Sequence, residues 1–225
     1  MFFDPIAQSY DEWYKTPLGR FADEVETALA FRLFPVTKES LILDAGCGTG
    51  NFSLKLARKG ARVIGVDIST EMLSIAREKA KREGLEIIFH QMDIYNLDFE
   101  DNYFDGIFSM AAFEFIKEPQ RAFHELWRVL KPGGYLLIGT INRDSAWGEL
   151  YIEQGKKADS VFYHASFKTL AELEDLDRRN LIDSGESLFI KPDTPEEKIT
   201  LEEEERLSAK EKGGFIAALW QKTVI

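Results

Sequence analysis

The chain has 225 residues, the usual length of one domain, and its single cysteine excludes an internal disulfide framework. Its 28 basic and 39 acidic side chains give a net charge of −11, which repels phosphate backbones and disfavours nucleic acid as the main partner. The first residues are acidic and do not have the pattern of a leader peptide. No apolar run reaches the roughly 18 residues that a membrane span needs. We therefore expect a soluble cytoplasmic protein without a membrane partner.

The spacing of apolar residues predicts the elements in chain order. An aromatic and polar start precedes a predicted helix over residues 18–34. From there to residue 142, short apolar runs alternate with amphipathic segments that stop at glycine or proline. This alternation predicts an α/β fold with a doubly wound, mostly parallel sheet and helices on both faces. The predicted strands are residues 41–46, 61–69, 86–93, 104–113 and 135–142, and the predicted helices between them are residues 51–60, 70–84 and 118–134.

The last third of the chain is less regular. In residues 143–183 we predict helix for the second half, from His164 onward. Two late apolar runs, residues 187–192 and 213–223, are predicted as strands. The stretch between them, residues 193–212, is highly charged and predicts a solvated helix or a mobile insert at the surface, whose role stays open.

Three glycines at alternate positions follow the first predicted strand. Glycine adopts positive φ and lets a backbone lie against a ligand with no side chain between, so Gly46, Gly48 and Gly50 predict a ligand-binding turn. Ligands of open α/β sheets bind at this edge, outside the carboxyl ends of the strands. Cys47, inside the turn, is interpreted as a small residue that contributes its backbone.

The spacing of the turn bears on which nucleotide it holds. Dinucleotide sites have the pattern G-x-G-x-x-G and place a pyrophosphate on a helix N-terminus. Here the pattern is G-x-G-x-G, and Asp44 stands two residues ahead of it. Like charges about 4 Å apart repel by about 4 kcal/mol near a protein surface. The acid therefore favours a phosphate-free cation or zwitterion, although by itself it does not exclude NAD.

Asp67 ends the second predicted strand, seventeen residues after Gly50. An acid at this place accepts hydrogen bonds from both hydroxyls of a ribose. Each such charge-assisted bond is worth about 1.5–3 kcal/mol. A helix N-cap or a surface acid is the alternative interpretation, and we favour the ribose role.

Four stretches in this order resemble the class I S-adenosylmethionine-dependent methyltransferases, and within them the group that methylates small molecules. The stretches are LDAGCGTG, VIGVDIS followed by Met-Leu, QMDIYNLDFEDNYFDGIFSM and LKPGGYLLIGT. The resemblance implies a seven-stranded sheet whose last strand, residues 213–223, runs antiparallel beside the fifth. It also implies a single domain with an N-terminal helical lid (1–36), a cofactor-binding core (41–142) and a substrate-side cap with late strands (143–225).

The resemblance implies that S-adenosylmethionine lies over the strand ends and leaves as S-adenosylhomocysteine. The glycine turn would bound its methionine part and ribose, and Asp44 would orient its amino end. Asp67 would accept from the ribose hydroxyls, and Asp93 from the adenine amino group. The cofactor-binding residues expected on this basis are Tyr14, Arg20, Asp44, Gly46, Cys47, Gly48, Gly50, Asp67, Ile68, Met72, Asp93, Ile94, Ser109 and Met110.

The N-terminal stretch resembles the segment that folds over the cofactor in many small-molecule methyltransferases. Tyr10, Tyr14 and Arg20 are its candidate contacts. Arg20 would pair with the methionine carboxylate, or it is an ordinary surface arginine. The two tyrosines would contact the ligand, or they pack an N-terminal helix.

Methyl transfer is an in-line displacement at an activated carbon, so a protein mainly positions the reactants, which is worth up to about 7–11 kcal/mol. A general base is needed only for an acceptor whose proton has a high pKa. Glu114 and His164 are the candidate catalytic residues, although a positioning or structural role is favoured for both. Asn142 and Arg143, at the end of the fifth strand, are further positioning candidates.

The partner expected at this site is a small-molecule acceptor. Its apolar pocket, or equally a part of the ordinary core, is predicted from Met110, Phe113, Trp147, Phe162 and Tyr163. The three histidines and the one cysteine lack the spacing of metal ligands, so we expect no metal.

Two other functions stay open from the sequence. One is a nicotinamide-dependent oxidoreductase, which binding of NADH without S-adenosylmethionine would support. The other is a non-catalytic module that binds S-adenosylmethionine but methylates nothing. The acceptor atom, and the choice between a monomer and a homodimer, are also open.

Overall fold

Seven strands form one sheet at the centre of the computed structural model, which describes residues 3–224. Across the sheet their order is β3-β2-β1-β4-β5-β7-β6. The first five run parallel, and β7 lies antiparallel between β5 and β6. The predicted fold is confirmed, including the antiparallel last strand beside β5. The strands are β1 (Leu41–Ala45), β2 (Arg62–Asp67), β3 (Ile87–Gln91), β4 (Phe104–Met110), β5 (Leu130–Ile141), β6 (Leu181–Ser187) and β7 (Phe215–Gln221).

Helices cover both faces of the sheet, as the apolar strands require. Along β7, Ile216 and Trp220 pack with α5 and α7 on one face, whereas Ala217 and Leu219 pack with α2 and α3 on the other. Short 3₁₀ turns connect several elements, among them Phe113–Phe115 after β4. The helices are α1 (Ala7–Tyr10), α2 (Pro17–Leu33), α3 (Asn51–Arg58), α4 (Thr70–Glu83), α5 (Pro119–Val129), α6 (Ala146–Gln154), α7 (Leu170–Glu174) and α8 (Leu201–Ser208).

The prediction of a strand over residues 187–192 is wrong. Leu188 and Ile190 of this run are buried, but they belong to a loop in which a side chain takes the place of a neighbouring strand for two backbone N–H groups. The carboxylate of Glu204 accepts from the backbone N–H groups of Phe189, at 3.0 Å, and Ile190, at 2.9 Å. The edge strand β6 is instead the preceding, more polar stretch LIDSGES, most of whose residues are exposed or half-buried.

One further prediction in the last third of the chain is wrong. The structure has no continuous helix from His164 to residue 183, only the short α7. The charged stretch 193–212 contains the mostly exposed helix α8, as the first of its two alternatives predicts, and one side chain of that helix, Glu204, is buried against the loop described above.

The described helices give no sign of a bilayer crossing. Between residues 3 and 224, none combines the length and the apolar character that this would require.

Candidate active site

The glycine turn bends sharply at the carboxyl end of β1. Gly46, Gly48 and Gly50 have φ of +74°, +51° and +80°, values that favour glycine. A Cβ on Gly46 would lie 2.6 Å from the Cβ of Ala112, and one on Gly50 would lie 3.0 Å from that of Ala76. At Gly48 an added Cβ would meet nothing within 4 Å. Two of the glycines are therefore required by close packing, whereas Gly48 faces open space.

That open space is a cavity of about 510 Å³ at the carboxyl ends of β1, β2 and β4. Its volume lies within the roughly 300–1,000 Å³ that is typical of small-molecule sites. The sheet side contributes the glycine turn and the strand ends, and the N-terminal segment contributes Phe3, Tyr10 and Tyr14.

Two carboxylates occupy the ends of β1 and β2. Asp44 is 2% exposed, and its carboxylate accepts from the hydroxyl of Ser53 at 2.5 Å. Burial raises the pKa of Asp44 to about 7. Asp67 accepts from the backbone N–H groups of Gly48 and Ser69, each at 2.9 Å. Burial raises its pKa as well, and these two hydrogen bonds oppose that shift. Asp67 is thus held rigidly beside the glycine turn.

The structure brings most of the predicted site residues to this cavity. Those that line it are Tyr14, Asp44, Gly46, Cys47, Gly48, Asp67, Ile68, Met72, Asp93, Ile94, Met110 and His164. All of these side chains therefore lie at one cavity. The role of each toward a ligand stays a prediction.

Three predicted cofactor-binding residues lie elsewhere. Arg20 is exposed, and its guanidinium donates to the carbonyl of Lys15 at 2.6 Å, which suits the alternative of a surface arginine. Ser109 is fully buried behind the cavity wall, where its hydroxyl donates to the carbonyl of Ala45 at 2.7 Å. Gly50 packs against α4 and begins α3 without lining the cavity.

The two candidate catalytic residues are separated. His164 lines the cavity, whereas Glu114 is 1% exposed and lies behind the lining residues. The Glu114 carboxylate accepts from the hydroxyl of Thr140 at 2.8 Å. Burial raises the pKa of Glu114 to about 7, and the nearby charge of Lys168 opposes that shift. This environment is that of a buried structural acid.

The residues predicted to form the acceptor pocket do not lie together in the structure, and neither do those predicted to position the acceptor. Met110 lines the cavity, while Phe113 and Trp147 belong to the hydrophobic core and Tyr163 is 54% exposed. The amide of Asn142 donates to the carbonyl of Gly213 at 2.9 Å. The guanidinium of Arg143 pairs with Glu172 at 2.8 Å. Neither Asn142 nor Arg143 lines the cavity.

Several cavity residues were not identified from the sequence, and Glu26 had a detectable signal. It lies on α2 four residues after Ala22 and three before Leu29, both of them buried. An acid on the apolar stripe of a helix is either paired in the core or exposed to a cavity. Tyr95 and Phe115 also line the cavity, but they come after strands, in short connecting segments that carry no comparable pattern.

The N-terminal segment is fastened to the rim of the cavity by Asp11. Its carboxylate accepts from the hydroxyl of Thr49 at 2.8 Å and from the amide of Asn51 at 3.2 Å. It also forms an ion pair with Lys79 of α4 at 2.9 Å. One side chain thus joins this segment to the glycine turn, α3 and α4.

The described part of the chain offers no group of side chains that could ligate a metal ion. Within residues 3–224 no three or more His, Cys, Asp or Glu side chains are grouped to hold a metal ion.

Comparison with known proteins places this site in a family. Residues 43–138 match the profile of a methyltransferase domain, and this stretch includes the glycine turn, Asp67, Asp93 and Met110. An uncharacterised protein of Methanocaldococcus jannaschii is 32% identical over 98% of both chains. A phosphatidylethanolamine N-methyltransferase of Cereibacter sphaeroides is 34% identical over 61% of this chain and 68% of its own length.

A solved structure supports the same placement over the full length. An S-adenosylmethionine-dependent methyltransferase of Thermotoga maritima, described as a possible histamine N-methyltransferase, superposes with a TM-score of 0.77 and is 26% identical. The match covers 99% of this chain and 98% of that one. Proteins named ubiquinone biosynthesis O-methyltransferase match a shorter part, 46% of this chain. The matched domain, the sheet order and the location of the cavity agree, and we conclude that this chain belongs to the class I S-adenosylmethionine-dependent methyltransferases and is an enzyme that uses S-adenosylmethionine.

Proposed function

We propose that this methyltransferase acts on a small-molecule acceptor that binds beside the methyl donor. The observation that supports this most is the cavity of about 510 Å³, across which the N-terminal segment lies. A concave space of this size suits a cofactor and a small substrate, whereas a folded protein or a duplex needs a broad open surface. The names of the relatives include methylation of nitrogen and of oxygen, so they support a small acceptor without selecting its atom.

The residues of the cavity fit S-adenosylmethionine. Gly48 leaves room for the ligand at the turn, and acidic groups match a ligand that carries a net positive charge. When bound, this cofactor supplies an electrophilic methyl group on a positively charged sulfur. We assign Asp67 to the ribose hydroxyls, Asp44 to the amino end and Asp93 to the adenine amino group.

The protein's part in the reaction is mainly positional. Hydrogen bonds from Ser53 to Asp44, and from two backbone N–H groups to Asp67, orient both carboxylates before a ligand arrives. Tyr10 and Tyr14 line the cavity, and we assign to them the shielding of the bound cofactor from water. Alignment of acceptor and methyl group by such a rigid site can supply up to about 7–11 kcal/mol of the rate enhancement.

Isotopically labelled methyl donor tests the class of acceptor. The purified enzyme is incubated with this donor and either a small-molecule filtrate of cells or the retained protein and RNA. We expect the label in compounds of the filtrate, as detected by mass spectrometry. Label in the macromolecular fraction alone would show that the proposed acceptor class is wrong.

We expect Asp11→Ala to accelerate cofactor release, because it removes the link between the N-terminal segment and the cavity rim. Release of S-adenosylhomocysteine, followed by stopped-flow fluorescence, should be about fivefold faster, which corresponds to about 1 kcal/mol. Glu12→Ala is the matched control, since the neighbouring Glu12 forms only an exposed ion pair with Lys15. Equal rates in both variants would exclude a lid that opens at this link.

A further inference from the structure

A carboxylate of the cavity has no partner within the described chain. Glu26 is half-buried and lines the cavity, but no residue of the range 3–224 forms a hydrogen bond or an ion pair with it. The ammonium of Lys55 is held by Asp23 and, at 2.7 Å, by the hydroxyl of Thr27. Burial and then the charge of Asp23 raise the pKa of Glu26 to about 8. The surroundings therefore supply this group with little compensating positive charge.

Aromatic side chains face the same compartment. Tyr10 and Tyr14 line the cavity, and their ring centroids are 6.0 Å apart. Burial raises the pKa of the Tyr10 hydroxyl to about 12, and the charges of Glu114 and then Glu26 add to this shift. For Tyr14 too, burial is the main cause of a raised pKa and the charge of Glu26 contributes. Glu26, Tyr10 and Tyr14 thus line one cavity, with the carboxylate and the two rings in the same compartment.

The charges of the lining select against anionic ligands. Five lining residues are acidic, namely Glu26, Asp44, Asp67, Asp93 and Glu118, against one lysine, Lys117. Three of these acids are assigned above to the methyl donor. Glu118 is largely exposed and forms an ion pair with Arg121. Glu26 is the carboxylate that remains for the acceptor.

We propose that the acceptor is a small amine, and that the carboxylate of Glu26 binds its ammonium group beside the rings of Tyr10 and Tyr14. This inference rests on the proposed function and names its substrate class. An ammonium group satisfies an unpartnered carboxylate by a charge-assisted hydrogen bond and is attracted to the faces of aromatic rings. A carboxylate or phosphate at the same place would lie beside an acid without a cationic partner and would gain no such ion pair.

The carboxylate of Glu26 also receives the proton that the ammonium must lose before its nitrogen can attack. One N–H bond breaks as one O–H bond forms, and this leaves a neutral amine and a protonated Glu26. The nitrogen lone pair then forms the N–C bond while the C–S electron pair stays on sulfur. Glu26 returns its proton to water, so the methylated product keeps the positive charge and one proton is released per turnover.

The methionine end of the donor also carries an ammonium group, which could bind Glu26 in place of the acceptor. The experiment therefore tests binding of the donor and binding of the acceptor separately. Wild-type enzyme, Glu26→Gln and Glu24→Gln are titrated with S-adenosylhomocysteine by calorimetry. Glu24 is the matched control, because it lies on the same helix but is exposed. Glutamine has nearly the shape of glutamate, and Glu26 has no partner in the described chain, so this replacement breaks no hydrogen bond or ion pair of the fold. We expect all three proteins to bind S-adenosylhomocysteine with dissociation constants within twofold of one another.

Each protein, saturated with S-adenosylhomocysteine, is then titrated with methylamine, propylamine, benzylamine and phenethylamine, and with the alcohol of each skeleton. We expect the wild type and Glu24→Gln to bind at least one amine tenfold or more tightly than its alcohol. We expect Glu26→Gln to lose this preference. With labelled donor, that amine should be methylated by the wild type, at a KM raised at least tenfold in Glu26→Gln.

The remaining outcomes contradict the inference in distinguishable ways. Weakened binding of S-adenosylhomocysteine in Glu26→Gln would assign this carboxylate to the donor's own ammonium. An unchanged preference in Glu26→Gln, or no bound amine, would refute recognition by Glu26. Methylation of hydroxyl or thiol compounds without any amine would refute the amine class and leave the proposed function standing. Methylation of macromolecules alone would refute the proposed function itself.

Discussion

Replacement of Asp67 by alanine is expected to raise the dissociation constant of S-adenosylhomocysteine by tenfold to a hundredfold, which is about 1.4–3 kcal/mol. The reason is the loss of charge-assisted hydrogen bonds to the ribose hydroxyls, each worth about 1.5–3 kcal/mol before competition with water is counted. Isothermal titration calorimetry measures this change directly. An unchanged dissociation constant would show that the ribose role is wrong.

The alanine variant also removes the acceptor of two backbone N–H groups, so a second variant separates ligand binding from distortion of the turn. Asp67→Asn keeps a side-chain oxygen that can accept from the N–H of Gly48, but it lacks the charge. We expect Asn to retain the thermal stability of the wild type more closely than Ala and still to bind weakly. An analogue of S-adenosylhomocysteine without ribose hydroxyls should bind Asp67→Asn and the wild type equally. A residual difference with this analogue would indicate that Asp67 acts through the turn.

The second large effect is expected at Glu114, whose pKa is raised by burial to about 7 from an ordinary value of 4.5. An acid whose pKa is higher in the folded than in the unfolded state stabilises the fold fully below its unfolded pKa. That contribution is lost as the pH rises through its folded pKa. Glu114→Gln cannot ionise, so we expect it to match the wild type near pH 4 and to be more stable near pH 8 by about 3 kcal/mol.

Urea unfolding of the ligand-free protein at several pH values measures this difference. Glu24→Gln, exposed on α2, controls for the general effect of removing one negative charge. A difference between Glu114→Gln and the wild type that is the same at every pH would show that Glu114 ionises at its ordinary pKa. Turnover is measured in the same samples, because a stabilised variant that no longer methylates would give Glu114 a catalytic role despite its place behind the cavity wall.

The sheet could be predicted from the sequence because its determinants are local or periodic. Apolar runs and helical spacing mark the parallel core, and a run such as FIAALW is buried on both faces of β7. The glycine turn was equally visible, since positive φ at Gly46, Gly48 and Gly50 is a property of single residues. The same reasoning failed for residues 187–192, where burial without a strand depends on a carboxylate fourteen or more residues away.

Part of the candidate site was predicted from the sequence. Residues whose location follows from the strand pattern reach the cavity as predicted, whereas residues whose location depends on the direction of a side chain do not. Asp44 and Asp67 lie at the carboxyl ends of β1 and β2, and Asp93 follows β3, so the parallel sheet brings them to one edge. Arg20 and Ser109 have equally suggestive sequence contexts, but their side chains turn to Lys15 and Ala45. The direction of a side chain depends on neighbours that the local pattern does not specify.

The sequence by itself determined the order of strands and helices in residues 41–142, the glycine turn and the acids at the strand ends, because each depends on residues within a few positions of one another. Tertiary structure alone decided that Glu114 is buried behind the wall, that Asp11 fastens the N-terminal segment, and that Glu26 faces the cavity unpaired. Those outcomes depend on contacts between segments far apart in the chain, and the packing of the whole domain sets them.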